Sequence, residues 1–153
     1  MIIVSGLPFS GTALMVQVLK NGGLTEFPLE KKNLSIDFSF INNNINKTEY
    51  TTLPSIFLKK IEKDHIFIFM ERNIEECFSF MKNKMGKEPH KNSFKLHLQD
   101  IKRYLKNKDT IYINYSKTIK EPNKELKKIE HLISNFEKAI KVINNTLYRN
   151  LLY

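Results

Sequence analysis

Gly6 and Gly11 bound a Gly-x4-Gly segment, Gly6-Leu7-Pro8-Phe9-Ser10-Gly11, that follows the apolar run Ile2-Ile3-Val4 and precedes a helical pattern beginning at Thr12. Small residues at this spacing let backbone N–H groups turn inward on an anion at a helix N-terminus, the arrangement that cradles phosphate. A loop built for nucleoside triphosphate hydrolysis continues with Lys and then Ser or Thr, the lysine reaching the outer phosphates and the hydroxyl holding Mg²⁺. Here the continuation is Thr12-Ala13, which points away from ATP hydrolysis.

Such a loop needs flanking elements that hold it open. Leu14, Met15, Val18 and Leu19 build one apolar face of a helix from Thr12 to Asn21, and Asn21-Gly22-Gly23 supplies a left-handed stop, so the helix N-terminus points at the loop. Ile66-Phe67-Ile68-Phe69-Met70 is continuously apolar, as a central strand buried on both faces should be. Asn73, followed three residues later by Glu76, reads as an N-cap with a capping box and starts a helix that runs to about Met85, before Gly86. Arg72 then lies at the carboxyl edge of a strand. Ligands of open parallel sheets bind at that edge, so Arg72 and the Gly6–Gly11 loop are expected to be neighbours. A solvent-facing pair with Glu75 or Glu76 is the plainer role for this arginine. Glu71, ending an apolar strand, imitates the acid that supports Mg²⁺ in phosphate-transfer loops, a reading that weakens without the loop lysine.

Strand-like and helix-like segments alternate along the rest of the chain, which argues for a parallel sheet covered by helices on both faces. Residues 25–47 are polar and Asn-rich and read as a loop with a short helical piece near Ser35–Ile41. A strand is expected over Glu49–Leu53, and a helix from Pro54 or Ser55 to Lys63. Ser93–Leu105 forms an amphipathic helix with Phe94, Leu98, Ile101 and Leu105 on one face. Thr110–Tyr115 reads as a strand, and Glu121-Pro122 leads a helix through Leu126, Ile129 and Ile133.

The wording of the first loop closely resembles that of the sulfotransferases that use 3′-phosphoadenosine 5′-phosphosulfate (PAPS), whose phosphosulfate loop reads Pro-Arg/Lys-Ser-Gly-Thr-Ser/Thr. Pro8, Ser10, Gly11 and Thr12 match it, and Val4–Leu7, Leu14, Met15, Gln17, Leu19, Gly22 and Gly23 fall in register with the longer bacterial form. Phe9 departs from it, standing where the family has a basic residue that neutralises charge on the leaving oxygen. The Arg72 region resembles the segment in which an arginine and a helical serine hold the 3′-phosphate. The family's serine position is Phe80 here and the nearest serine is Ser79, which at about 100° per residue falls almost two full turns after Arg72. Further matches are His97 in the helix resembling "FxxHLxxVxxWL", Tyr115, Pro122, Glu125, Leu126 and Ile129 in a later block, and Val142, Leu147, Tyr148 and Arg149 near the end. The resemblance covers most of the chain outside residues 24 to 64.

It implies a small three-layer α/β sandwich of the P-loop type, formed by residues 1–153 as one domain, with PAPS as co-substrate and no metal. Leu7, Pro8, Phe9, Ser10, Gly11, Thr12 and Ala13 would hold the phosphosulfate, and Arg72 and Ser79 the 3′-phosphate. Sulfuryl transfer to a hydroxyl or amine is the implied reaction. A P-loop phosphotransferase and a non-catalytic nucleotide-binding protein remain alternatives. No histidine has a neighbour that marks it as a general base; His97 and His90 are the candidates, while His65 and His131 read as structural.

The formal charge of +9 comes from 22 lysines and three arginines spread along the chain, which suits a solvated surface better than a nucleic-acid stripe and would help recruit an anionic ligand. No apolar run approaches the ~20 residues needed to span a bilayer, so no membrane partner is expected. No export signal precedes the first strand, so a cytoplasmic location is expected. Cys77 has no cysteine to pair with and reads as a small core residue.

Overall fold

The computed structural model describes residues 1–29, 31–32, 35–36, 38–44, 46–86 and 90–150. Ile2–Gly6 forms β1, Thr12–Asn21 α1 and Thr25–Glu26 β2. A two-stranded antiparallel pair, β3 (Lys31–Lys32) and β4 (Ser35–Ile36), then leads to α2 (Phe38–Asn43) and β5 (Glu49–Thr52). A 3₁₀ turn over Ser55–Lys60 precedes β6 (Ile66–Glu71), α3 (Ile74–Met85) and α4 (Lys91–Leu105). The chain closes through β7 (Thr110–Asn114), α5 (Tyr115–Lys120), α6 (Pro122–Leu126), a 3₁₀ segment (Lys127–Leu132) and α7 (Phe136–Asn150).

Among the described residues the main sheet is five-stranded and parallel, in the order β2-β5-β1-β6-β7. Side-chain alternation sorts the core into two layers. Ile2, Val4, Ile68 and Met70 face Met15, Val18 and Leu19 of α1 together with Leu126, Ile129, Ala139 and Ile143. Ile3, Phe67 and Phe69 face Leu53, Leu58, Ile61, Ile101 and Leu105 on the other side. Helices therefore cover both faces, and β1 and β6 are buried on each side, which is why both read as unbroken apolar runs.

α1 has the bounds its periodicity predicts, and Asn73 caps α3 by accepting from the Glu75 N–H at 2.9 Å. Elsewhere the chain departs from expectation. The segment after Pro54 is a 3₁₀ turn rather than an α-helix, and the short helix predicted near Ser35–Ile41 lies at Phe38–Asn43. β7 stops at Asn114 because the Asn114 side chain accepts from the Lys117 N–H at 3.0 Å and starts α5, so Tyr115 opens a helix instead of ending a strand. Glu125 fixes the same corner, with its buried carboxylate accepting from the Asn114 N–H and from Lys128 Nζ, each at 2.7 Å. No described helix is long and apolar enough to cross a membrane. Cys77 is buried and burial pushes its thiol pKa up, which leaves it inert.

His65 is buried just before β6, and burial, aided by the positive amino group of Met1, holds its pKa below the ordinary imidazole value. The unfolded chain then takes up a proton that the folded chain refuses as pH falls below about 6.5, so stability is lost on acidification through that range. Thermal melts between pH 7.5 and 5.5 should show a falling midpoint, and His65→Asn should flatten the slope.

Candidate functional site

Parallel pairing of β1 with β6 puts Gly6 opposite Met70, so the loop after β1 and the residues after β6 leave the sheet side by side. Gly6 is required there: a Cβ would lie 2.2 Å from Ser10 Oγ and 2.9 Å from the Met70 carbonyl oxygen. The Ser10 N–H donates to the Leu7 carbonyl at 3.1 Å, closing a tight turn, and the Leu14 and Met15 N–H groups both donate to the Gly11 carbonyl at 3.1 and 3.2 Å. Gly11 has φ 103° and caps α1 without any side-chain hydrogen bond, and the first turn of α1 holds no acidic residue. That helix end is free of side-chain compensation and keeps its positive dipole end facing the loop.

Ser10 is 1% exposed, and its hydroxyl lies over Gly6 without a hydrogen-bond partner. A buried orphan hydroxyl costs roughly 1–3 kcal/mol relative to a satisfied one, which makes it a marker for something the loop is shaped to receive. Phe9 adopts φ 63°, uncommon for an aromatic residue, and the residue is 39% exposed.

Arg72 is brought to the loop, as its position at the strand edge requires. Its Nη1 donates to the Phe9 carbonyl at 3.2 Å and its Nε to Glu76 Oε2 at 2.7 Å. The guanidinium carbon lies over the rings of both Phe80 and Tyr115, 4.6 and 4.3 Å from their centroids, and Phe80 in turn stacks on Phe9 at 6.2 Å. Nothing in the local sequence marks either ring for this contact. Tyr115 also lies under the loop, where a Cβ on Gly11 would meet its Cδ2 at 2.4 Å. Ser79, expected beside Arg72, is exposed and donates its hydroxyl to the Glu75 carbonyl at 3.0 Å, one turn back in its own helix; Phe80 takes the place over the guanidinium.

Two hollows adjoin the loop. A cleft of about 540 Å³ is walled by Leu7, Pro8, Leu53, Pro54, Ile56 and Phe94, with Thr12, Thr52 and Ser93 at its margin. His97 lines it, and its Nε2 shares a 3.0 Å hydrogen bond with Ser55 Oγ. A smaller hollow of about 50 Å³, which shares Leu7 with the cleft, is lined by Ser10, Arg72, Glu71 and Lys102 together with Phe69, Met70 and Leu98, and Glu71 and Lys102 form an ion pair at 2.5 Å. His90 is exposed at the start of α4 and His131 is exposed in the second 3₁₀ segment, and neither lines either hollow. Thr12 lines the cleft, whereas the Ala13 side chain is exposed. Among the described residues no cluster of His, Cys, Asp and Glu is suited to hold a metal ion.

Neither a family model nor a curated protein sequence matches this chain. A solved structure does: mouse sulfotransferase SULT7A1 complexed with PAP, at a TM-score of 0.62 and 20% identity over 95% of this chain. The chain spans 63% of the length of that protein. The likeness establishes a shared fold, an α/β sandwich built on a small parallel sheet.

Gly11→Ala should be costly, since it forces a side chain into both a positive-φ position and the Tyr115 ring. Urea unfolding should show a loss on the order of 1–3 kcal/mol, larger than for Gly86→Ala, which bears the cost of a positive φ but meets no neighbouring atom.

Proposed function

We propose that this protein binds PAPS at the Gly6–Gly11 loop and transfers its sulfuryl group to an acceptor held in the adjoining cleft. The observation that carries this reading is the buried, unpartnered Ser10 hydroxyl inside a glycine-bounded loop at an uncapped helix N-terminus. An anionic oxygen there satisfies the hydroxyl, the loop amides and the dipole end of α1 together. The sequence resemblance and the fold shared with a PAP-bound sulfotransferase support PAPS over ATP, as does the absence of a lysine after Gly11.

The cleft wall is mostly hydrocarbon, and among the described residues no Lys, Arg, Asp or Glu lines it, which favours an uncharged apolar acceptor with a single hydroxyl or amine. In the transfer step the acceptor heteroatom attacks sulfur, the sulfur–oxygen bond to the 5′-phosphate breaks, and its electron pair leaves with 3′-phosphoadenosine 5′-phosphate (PAP). The acceptor proton goes to His97, the histidine that lines the cleft. A non-catalytic nucleotide-binding protein is the second reading, and the observation that favours it is Phe9, which leaves the loop without a cation of its own.

Thermal unfolding with PAP, with ADP plus Mg²⁺ and without ligand tests the reading. PAP at 100 times its Kd should stabilise by roughly 2.7 kcal/mol, and ADP plus Mg²⁺ should do far less. A shift with ADP plus Mg²⁺ alone would favour phosphotransfer, and no shift with either would remove the nucleotide-binding reading. His97→Ala should leave the PAP shift intact while slowing transfer by roughly 10²-fold or more; PAP binding without any transfer by the wild type would favour the non-catalytic reading.

A further inference from the structure

We propose that Arg72 is the cation of the Gly6–Gly11 loop itself: it meets the anion bound there, in place of the basic residue that position 9 lacks, rather than holding a second phosphate at a distance. The proposal rests on the reading of the loop as an anion site and assigns the charge of that site to a residue 63 positions along the chain from Phe9.

The geometry leaves Arg72 little else to do. Phe80 and Tyr115 both present their rings to the guanidinium carbon, at 4.6 and 4.3 Å from the centroids, and leave an anion fewer directions of approach. Nε is committed to Glu76, and Nη1 is tied to the loop through the Phe9 carbonyl. The Arg72 side chain is only 13% exposed. Arg72 and Ser10, whose buried hydroxyl has no partner, line the same small hollow. Lys102 lines it too and is paired through its single ammonium with Glu71; Arg72 is paired with Glu76 through Nε, and its guanidinium carries further donors beyond that pair.

The arrangement that would direct Arg72 to a separate phosphate is not formed. Ser79 gives its hydroxyl to the Glu75 carbonyl, and the position that would offer a serine is Phe80, whose ring stacks on Phe9 and closes over the guanidinium. The two departures from the sulfotransferase pattern, Phe9 and Phe80, thus form one contact. Together they hold a cation against the loop backbone where the loop has no basic side chain. Tyr115, wedged between Gly11 and Arg72, fixes the distance from below.

Calorimetric titration of wild type, Arg72→Gln and Arg72→Lys with PAP, AMP and inorganic pyrophosphate separates the possibilities, with thermal melts showing that each variant is folded. If Arg72 serves the loop anion, Arg72→Gln weakens PAP and AMP by the same factor, roughly ten- to hundred-fold, and leaves their ratio unchanged. Phe9→Arg then restores binding in the Arg72→Gln background while adding little to the wild type, a coupling that a merely structural role does not produce. Loss of PAP affinity with AMP affinity unchanged would overturn the proposal and return Arg72 to the 3′-phosphate. Wild-type binding of pyrophosphate that depends on Arg72, without binding of either nucleotide, would sustain the assignment of Arg72 and remove PAPS. Failure of the wild type to bind any of the three would remove both.

Discussion

The absence of a side chain at position 6 is the constraint on which the site depends. Gly6 pairs with Met70 at the last rung of the β1–β6 ladder, and the Met70 carbonyl and the Ser10 hydroxyl occupy the space a Cβ would need. Any Cβ there would push the two strand ends apart or drive Ser10 out of the loop. With Gly6 in place, the chain turns within a few residues from a strand buried on both faces into the N-terminus of α1, and Arg72 emerges alongside. The central apolar strands therefore do more than build the core; their parallel register sets the distance between the loop and its nearest arginine.

Charge at this site is arranged from outside the loop. The loop offers amides, a helix dipole and a buried hydroxyl but no cationic side chain, while the Arg72 guanidinium packs over two aromatic rings and is tied to the Phe9 carbonyl. Stacking suits a guanidinium better than an ammonium because its planar, weakly hydrated face tolerates contact with rings. The apolar cleft meets the small hollow at Leu7, and among the described residues no Lys, Arg, Asp or Glu lines it. Charged groups and a hydrocarbon wall thus adjoin one short loop, which suits the proposed transfer from an anionic donor to an apolar acceptor.

Much of this was legible in the sequence because the relevant signals are local. The Gly6–Gly11 spacing, the apolar face of α1 and the Asn73 cap each depend on contacts within a few residues, and they place β1, α1, β6 and α3 close to where the structure has them. The neighbourhood of Arg72 and the loop followed from the strand-edge rule alone. What escaped depends on contacts between distant segments. Tyr115 looked like the end of a strand because Ile-Tyr-Ile-Asn-Tyr is β-rich; only the Asn114 cap, a signal present in the sequence, turns it into a helix and places its ring under Gly11. Helical angle alone put Ser79 near Arg72, yet Phe80 won that position because its ring gains both Phe9 and the guanidinium. The Leu53–Ile56 wall of the cleft lay in a stretch whose 3₁₀ geometry is too short to carry a periodic pattern.

The proposed function requires the nucleotide's anionic end to bind at the loop, and amide chemical shifts of the ¹⁵N-labelled protein titrated with PAP report that place directly. Binding at the loop predicts that the largest changes fall on the N–H groups of Leu7 and of Phe9 through Ala13, with Arg72 Nε–H moving in step. Large changes confined to α4 and the Leu53–Ile56 wall, with those loop amides unmoved, would show that the nucleotide binds elsewhere and would contradict loop binding.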